Sequence, residues 1–268
     1  MLGPYVSALL VESRQGRFLV PIEDFTVAGR LALSGAYEED ALALYRQILR
    51  PADRVLVVGA HIGTLVVPLA KVASRVVAVE ANPRIFDLLQ RNLELNTVTN
   101  VEVHGLAALD QYGKVDFLDS RVNSGGSKVL PRRRRFEFVY DRPKVISVEA
   151  GPLDDVLAGE YFDVVLLDIE GAEYKAMLGM QRILSRARVL ICELIPNHLE
   201  NVTGVSLDQF ASAIPPRFTE FAVVANPGER VPRDGLARLY RRAVSNAYFG
   251  GTDLLCLAAP AGAASAGS

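Results

Sequence analysis

Short apolar runs alternate with amphipathic segments over most of the chain. Seven runs predict buried strands, at Val55–Val58, Val76–Glu80, Val101–His104, Phe162–Leu167, Val189–Leu194, Phe218–Val224 and Leu254–Ala258. Segments with helical spacing predict helices at Gly63–Ala73, Pro83–Leu95, Ala172–Leu184 and Leu207–Ile214. Apolar strands that alternate with helices are typical of a parallel sheet covered on both faces. The pattern predicts a doubly wound, Rossmann-like α/β fold with a seven-stranded sheet, mostly parallel with a C-terminal antiparallel strand.

Two segments depart from this alternation. Residues 1–50 predict an N-terminal attachment, with a hairpin around Gln15-Gly16 followed by a helix over Glu38–Leu49. Residues 109–150 show no clear helix, and we expect short antiparallel strands and loop inserted into a main domain over 51–260. The small polar residues 261–268 predict a disordered tail.

Composition narrows the class of protein. Hydrophobic residues make up 50% of the chain, which is enough for a sizeable core. The net charge of −2 gives no general reason to expect nucleic acid or an anionic membrane as a partner. No apolar run is long enough to span a membrane, and the N-terminus has no secretion signal, so we expect a cytoplasmic protein. Cys192 and Cys256 lie in apolar runs and are expected to be buried free thiols.

Two features at predicted strand ends indicate a nucleoside site. The first strand leads into Gly59, Ala60, His61, Ile62 and Gly63, and the second ends at Glu80. The glycines let the backbone approach a ligand, and the acid can bond both hydroxyls of a ribose. The pair would serve NAD or S-adenosyl-L-methionine (SAM), but the turn lacks the Gly-x-Gly-x-x-Gly spacing that binds a pyrophosphate. This favours SAM; the alternative is a plain strand–helix turn that binds nothing.

Acidic residues at the ends of two later strands are candidates for catalysis. The methyl group of SAM sits on a sulfonium, so an enzyme needs mainly to orient a nucleophile and take its proton. The candidates are Asp168, Glu170 and Glu173 after the fourth strand, with Glu193 and His198 around the end of the fifth. Asp168 could instead cap the following helix, and Glu170 and Glu173 could instead interact with its dipole. The alternative for His198 is a loop histidine without a functional role. An oxygen-rich metal site is a minor alternative without diagnostic spacing, so no metal is predicted.

Other segments are candidates for binding the two substrates. Ala107, between Leu106 and Ala108, follows the third strand, where a flat adenine would pack. Arg132–Arg135 is either a solvated loop or a clamp for a phosphorylated or acidic substrate. Glycines within Asn123–Ser127 permit a mobile lid. Candidates for lining the acceptor pocket are Tyr37, Tyr140 and Tyr248. Their alternative role is packing.

Several blocks between residues 53 and 195 resemble the FkbM family of SAM-dependent methyltransferases, which belongs to the class I type. These blocks are Val55–Gly63, Val79–Pro83, Arg91–Asn96, Leu153–Val156 and Leu166–Glu173, with Leu178-Gly179 behind them and Glu193 at a position that is often acidic. The resemblance implies a mostly bacterial enzyme that methylates oxygen on natural products, sugars or glycans. The expected cofactor contacts are Gly59, Ala60, His61, Gly63, Glu80, Ala81, Ala107 and Asp168.

The chain departs from the family pattern at Val57, His61 and Ala81, where the family usually has Asp, Asn and Pro. An acid at the position of Val57 usually helps to hold the methionine end of SAM, and we expect Asp168 to take over that contact. The leading function is an O-methyltransferase for a small molecule or glycan. The alternatives are an RNA methyltransferase, against which the net charge weighs, and a non-catalytic nucleoside-binding protein. An N-terminal attachment is also compatible with a homodimer.

Overall fold

The computed structural model describes residues 5–244 and 251–259, so the predicted tail and Tyr248 lie outside the described residues. In chain order the strands are β1 (Ala8–Glu12), β2 (Arg17–Pro21), β3 (Arg54–Val58), β4 (Arg75–Val79), β5 (Val101–His104), β6 (Ala107–Ala108), β7 (Gly113–Asp119), β8 (Lys128–Val129), β9 (Lys144–Gly151), β10 (Val164–Leu167), β11 (Val189–Leu194), β12 (Phe218–Val223), β13 (Asn226–Pro232) and β14 (Thr252–Ala258). The helices are α1 (Val27–Ser34), α2 (Glu39–Ile48), α3 (Val66–Ala70), α4 (Pro83–Leu95), α5 (Phe136–Val139), α6 (Leu153–Val156), α7 (Glu173–Leu178), α8 (Gln181–Leu184), α9 (Pro196–His198), α10 (Leu207–Ala213) and α11 (Leu236–Val244). Single turns of 3₁₀ or π helix lie at Ser124–Gly126, Leu199–Thr203 and Arg233–Gly235.

The largest sheet has eight strands in the order β13-β12-β14-β11-β10-β3-β4-β5. Neighbours from β11 to β5 are parallel, whereas β14 is antiparallel to both β11 and β12. The prediction of a doubly wound, mostly parallel sheet with a C-terminal antiparallel strand is confirmed. The chain enters the sheet at β3, builds outward to β5 and returns on the other side at β10. The switch point, where such sheets bind ligands, therefore lies between β3 and β10.

The sheet has one strand more than the seven expected, and that strand is β13. It pairs antiparallel with β12 at the edge of the sheet, and most of its residues are exposed. An exposed edge strand has no buried face, so its sequence shows no apolar run or alternation. Its two prolines, Pro227 and Pro232, are tolerated because one side of an edge strand needs no ladder hydrogen bonds.

Both faces of this sheet are buried, which explains why its central strands are apolar apart from Arg54 and Arg75 at the starts of β3 and β4 and Glu193 near the end of β11. Leu56 and Val58 of β3 belong to one hydrophobic cluster, with Phe210 of α10, whereas Val55 and Val57 belong to another, with Leu89 of α4. Alternate residues of a strand point to opposite faces, so one short strand contributes to two cores.

Two predicted helices are shorter than expected, and glycines explain both differences. The segment predicted as one helix over 172–184 forms α7 and α8, which are separated at Gly179. A Cβ on Gly179 would lie 2.1 Å from the carbonyl oxygen of Leu109, so the start of the insertion passes directly over this break. The helix predicted from Gly63 begins only at Val66, since Gly63 has a φ of +92°, outside the helical region.

The N-terminal residues pack on the main sheet's helix layer. Strands β1 and β2 form the expected antiparallel hairpin, and Asn92 of α4 holds it in place. The Asn92 side-chain amide donates to the carbonyl oxygens of Leu19 and Ile62 at 3.1 and 2.9 Å, and its oxygen accepts from the Leu19 N–H at 2.7 Å. Asn92 therefore joins the hairpin to the turn after β3. Helix α1, which sequence patterning missed, begins where Asp24 Oδ1 accepts the N–H groups of Thr26 and Val27.

The insertion forms a separate four-stranded sheet in the order β6-β9-β7-β8. Strands β7 and β9 pair antiparallel over their full length, and β6 adds a parallel contact to β9. Short antiparallel strands were expected here, whereas the one-turn helix α5 was not. Among residues 5–244 and 251–259, no helix has the length and apolarity to cross a membrane. Cys192 and Cys256 are buried free thiols, as expected.

Candidate functional site

A cavity lies beyond the carboxyl ends of β3, β4, β10 and β11, and we call it the main cavity. Its lining comes from these strand ends, from residues between Thr26 and Glu38 of the N-terminal segment, and from residues between Phe117 and Val129 of the insertion. The predicted site residues that line it are Gly59, Ala60, His61, Glu80, Ala81, Ala107, Asp168, Glu170 and Glu193. The topological switch point thus has walls from three separate parts of the chain.

The two glycines of the turn after β3 have different structural roles. Gly59 has a φ of +90°, and a Cβ there would lie 1.6 Å from the backbone oxygen of Asp168. Gly59 is therefore needed for contact between the loops after β3 and β10 as well as for the cavity. Gly63, expected to contact a cofactor, does not line the cavity; a Cβ there would lie 2.9 Å from Cδ1 of Leu89. Its lack of a side chain admits the packing of α4, and the cofactor contact expected of Gly63 stays a prediction.

Glu80 is the buried acid at the floor of the main cavity. Its Oε2 accepts the His61 N–H at 2.9 Å, and its Oε1 accepts the Asn82 N–H at 2.8 Å. Burial raises the pKa of Glu80 to about 7, although these backbone hydrogen bonds act in the opposite direction. Each carboxylate oxygen keeps further acceptor capacity, so Glu80 is equipped to accept two hydroxyl donors.

His61 lines the cavity in a left-handed conformation, with a φ of +49°. Its Nε2 lies 2.7 Å from Oγ of Ser124, in the insertion. Burial lowers the pKa of His61 to about 4, which leaves the imidazole neutral at physiological pH. His61 and Ser124 are far apart in sequence, so no local sequence signal indicates Ser124 as the partner of His61.

The wall near β6 is apolar and supports the expected place for a flat ring. Leu106, Ala107 and Ala108 line the cavity together with Phe117 of β7. Ala107 and Ala108 are buried, and their methyl groups leave room for a planar ligand group. Phe117 was not among the predicted residues, because its position over the cavity depends on how the insertion folds back.

Carboxylates crowd the other side of the cavity, where Asp168, Glu170 and Glu193 meet Glu38 of the N-terminal segment. Burial raises the pKa of Asp168, and the neighbouring Glu170 and Asp253 raise it further. Burial also raises the pKa of Glu193, with Asp168 the largest charged contribution. Glu38 was missed by sequence analysis, because it precedes a surface helix and nothing local indicates a cavity.

Glu170 and His198 meet at Lys128, a buried residue of β8. Lys128 Nζ donates to Glu170 Oε2 at 3.0 Å and lies 3.1 Å from His198 Nε2. Nδ1 of His198 lies 3.2 Å from Glu170 Oε2 without hydrogen-bonding geometry. Burial and the Lys128 charge lower the pKa of His198 to about 3. His198 does not line the main cavity and acts through this cluster, which sequence analysis missed because Lys128 lies far away in the insertion.

Glu173 has a structural place. It is buried, and its Oε1 accepts the N–H groups of Ile169 and Gly171 at 3.0 and 3.1 Å. Burial raises its pKa to about 7 against these bonds. Glu173 therefore holds the loop that presents Asp168 and Glu170, a structural role different from the helix-dipole contact that sequence analysis gave as its alternative.

A second cavity lies behind Asp168 and Glu193, and Val57 is part of its wall. Asp253 of β14 and Tyr45 of α2 line it as well. Two groups of side chains after β10 and β11 have ligand atoms within 4.8 Å of one another: Glu170 with Glu193 and His198, and Asp168 with Glu173 and Glu193. In the first group, Lys128 already bonds to Glu170 and His198, so the lysine ammonium supplies a positive charge there without a metal ion.

The arginine run lies outside the main cavity. Arg132–Arg135 is exposed, and it packs along the π-helical turn Leu199–Thr203. The Arg133 guanidinium pairs with Glu200 at 3.2 Å, and Arg135 Nε donates to Asn201 Oδ1 at 3.3 Å. Tyr37 lines the main cavity and Tyr140 does not.

Comparison with known proteins gives short local matches to RNA-modifying enzymes. The chain is 42% identical over 65 residues to a probable ribosomal RNA small subunit methyltransferase A of Methanosphaera stadtmanae, a match over 24% of this chain and 22% of that protein. It is 33% identical over 113 residues to the 23S rRNA (uracil(1939)-C(5))-methyltransferase RlmD of Legionella pneumophila strain Paris, over 39% of this chain and 24% of that protein. The chain spans less than a quarter of the length of these curated relatives.

Among solved structures, methyltransferase FkbM from Methylobacillus flagellatus KT aligns with a TM-score of 0.48 and 18% identity, over 82% of this chain and 48% of that one. The model of the methyltransferase FkbM domain matches residues 58–220, which is more than half of the chain and includes the strand ends around the main cavity. The chain therefore belongs to the FkbM family of methyltransferases.

Proposed function

We propose that this protein is a SAM-dependent methyltransferase that methylates a hydroxyl of a small molecule, sugar or natural product. The observation on which the proposal rests is the place of Glu80, a buried acid with acceptor capacity on both oxygens at the floor of the main cavity. A ribose diol offers two matching donors. The surrounding carboxylates also favour a ligand with positive charge, and SAM has a sulfonium and an ammonium group.

In this proposal, different residues of the chain bind different parts of SAM. Glu80 accepts the ribose hydroxyls, and the apolar wall of Leu106, Ala107 and Phe117 packs against the adenine. Asp168 accepts from the amino group, in place of the acid that the family usually has at Val57. Val57 lines the second cavity and not the main one. An acid at position 57 would therefore have to reach around β3 to contact a ligand in the main cavity.

SAM supplies a methyl group that is already activated on a sulfonium. The chain must therefore orient the acceptor hydroxyl and remove its proton. Glu193 is the proposed general base, because burial and then the neighbouring Asp168 raise its pKa, and no ion pair among the described residues neutralises it. Glu170 and His198 are weaker candidates, since Lys128 already bonds to both. Their cluster positions the loops after β10 and β11.

Calorimetry with SAM tests the first step. Wild-type protein should bind SAM, and Glu80→Ala should weaken binding by about 100-fold, since two hydrogen bonds to a charged group are lost. The exposed Glu94→Ala on α4 is the matched control and should bind as wild type does. Wild-type affinity in Glu80→Ala would refute the proposal. A turnover assay over hydroxylated acceptors then separates an enzyme from a protein that only binds the nucleoside.

RNA is the second candidate acceptor. The exposed run Arg132–Arg135 and the RNA substrates in the names of the local relatives favour it. If RNA is the acceptor, binding should weaken steeply with salt, and replacing Arg132 and Arg134 by Ala should reduce the slope of affinity against salt. Salt-independent binding, or none, would leave the small-molecule proposal standing.

A further inference from the structure

Three parts of the chain meet in one row of hydrogen bonds beside the main cavity. Asp24 belongs to the N-terminal segment, Ser124 to the insertion and His61 to the turn after β3. The Ser124 hydroxyl bonds to Asp24 Oδ2, and Ser124 Oγ lies 2.7 Å from His61 Nε2. Asp24 and Ser124 are almost completely buried, at 3% and 2% exposure. The row ends at the proposed ribose acid, because the His61 N–H donates to Glu80 Oε2.

The direction of each bond follows from the chemistry of Asp24. Its Oδ1 accepts the N–H groups of Thr26 and Val27, and its Oδ2 accepts the N–H of Ser124 at 3.0 Å. A carboxylate surrounded by donors acts as an acceptor, so the Ser124 hydroxyl donates its single hydrogen bond to Asp24. Ser124 Oγ is then left to accept, and the proton between Ser124 and His61 belongs to His61 Nε2. The neutral imidazole keeps Nδ1 as a lone-pair acceptor.

We propose that Asp24 and Ser124 are positioning residues that fix His61 as the Nε2–H tautomer and thereby hold the turn 59–63 and Glu80 in the geometry that binds the cofactor. Neither residue is assigned to touch the ribose. Because His61 has a left-handed backbone, a conformation that side chains rarely adopt, an external anchor on its ring is needed to keep the turn in place. The affinity for the cofactor then depends on docking of both the N-terminal segment and the insertion.

Histidine ¹⁵N NMR tests the tautomer without any assay of activity. The chain has three histidines, and the spectrum of His61→Asn identifies the signals of His61. The expected result is a protonated Nε2 and an unprotonated Nδ1 in the wild type, with loss of this preference in Ser124→Ala. A protonated Nδ1 in the wild type would overturn the proposal.

Calorimetry with SAM tests the consequence, which rests on the proposed function. Ser124→Ala and Asp24→Asn should each raise the dissociation constant by about tenfold, whereas Ser124→Thr, which keeps the hydroxyl, should stay near wild type. Asp53→Asn is the matched control, since Asp53 is equally buried but lies at the amino end of β3, where it accepts from Arg50 and Arg188. It should lower the melting temperature and leave the affinity for SAM unchanged.

The two measurements keep the failures apart. If wild-type protein does not bind SAM, the proposed function fails. The NMR measurement of the His61 tautomer then still tests whether Asp24 and Ser124 position His61. If Ser124→Ala and Asp24→Asn bind SAM within about twofold of wild type, the positioning role fails and the proposed function stands. If Ser124→Ala does not fold, Ser124→Cys replaces it, because a thiol is a weak donor of similar size, and the same tenfold loss is expected.

Discussion

At the scale of single residues, the site is built from groups whose charges are unfavourable in the absence of a ligand. Glu80 has a pKa of about 7 because burial penalises its charged form. Burial also raises the pKa of Asp168, as does the neighbouring Glu170, and burial and then Asp168 raise the pKa of Glu193. Such groups are less stable as anions in the folded protein than in the unfolded chain. A cationic ligand with hydroxyl donors relieves both penalties.

The first prediction concerns the pH dependence that Glu80 causes. Its folded pKa of about 7 lies above the ordinary value of 4.5, so the folded state binds the proton more tightly and loses stability as pH rises through this window. Glu80→Gln removes the titration. The free energy of unfolding of this variant relative to wild type should increase by about 2 to 3 kcal/mol between about pH 5 and pH 8, measured by urea unfolding. Glu94→Gln, at an exposed position of α4, serves as control. A constant difference would contradict the prediction.

The second prediction concerns Gly59. A Cβ would lie 1.6 Å from the Asp168 oxygen at a φ of +90°, so Gly59→Ala should cost at least about 3 kcal/mol of unfolding free energy. Gly29→Ala in α1 is the matched control, because no atom lies within 4 Å of the new methyl group. It should stabilise the protein by about 0.5 to 1 kcal/mol. Equal effects of the two substitutions in urea unfolding would show that the contact between the two loops is not required.

At the scale of elements, apolar patterning predicted the buried strands, and helical spacing and turn signals predicted α2, α4, α10 and the N-terminal hairpin. The central strands β3, β4, β10 and β11 are mostly apolar because both faces are covered, and this signal is independent of distant contacts. The edge strand β13 and helix α1 were missed, since β13 has no buried face and α1 begins at the carboxylate of Asp24, three residues before Val27.

The site was predictable only where its residues follow the strands directly. Glu80, Asp168 and Glu193 stand at strand ends, and topology alone brings such positions together. Ser124, Lys128 and Glu38 belong to the insertion and the N-terminal segment, and their places depend on tertiary packing. Gly63 illustrates a limit of the sequence, because a glycine that makes room for helix packing looks the same as one that makes room for a ligand.

The third prediction concerns the insertion, which is anchored at the site by Lys128. Removing this charge in Lys128→Met should raise the pKa of His198 from about 3 towards its usual value, because Lys128 lowers it and Glu170 would then be the nearest charge. NMR titration of His198 measures the shift. Lys114→Met is the matched control, since its ion pair with Glu149 lies on the exposed part of the same sheet. An unchanged pKa would show that Lys128 is not the dominant charge at His198.

At the scale of the whole molecule, the main cavity has walls from three distant segments. The N-terminal segment, the strand ends and the insertion each contribute residues, and the row from Asp24 to Glu80 links all three. A ligand that contacts every wall stabilises the assembly as a unit, and not the glycine turn alone.

The fourth prediction follows from this arrangement. On addition of SAM, amide hydrogen exchange should slow in residues 26–38 and 123–129 as well as in residues 58–63, and the melting temperature should rise with SAM concentration. Hydrogen-exchange mass spectrometry measures the pattern. Peptides of β13, which lies at the far edge of the large sheet, are the internal control and should not change. Protection confined to residues 58–81 would show that the other two walls do not respond to the ligand.

The position of β14 has a consequence for biosynthesis. This strand is last in the described chain, yet it lies inside the sheet between β11 and β12, with Leu254, Leu255 and Cys256 buried. While these residues are still within the ribosome, the nascent chain has an open apolar edge at β11, and the hairpin of β12 and β13 has no strand to join. Closure of this half of the protein must therefore wait until β14 has left the ribosome, and until then the emerging polypeptide is exposed to strand pairing with its neighbours.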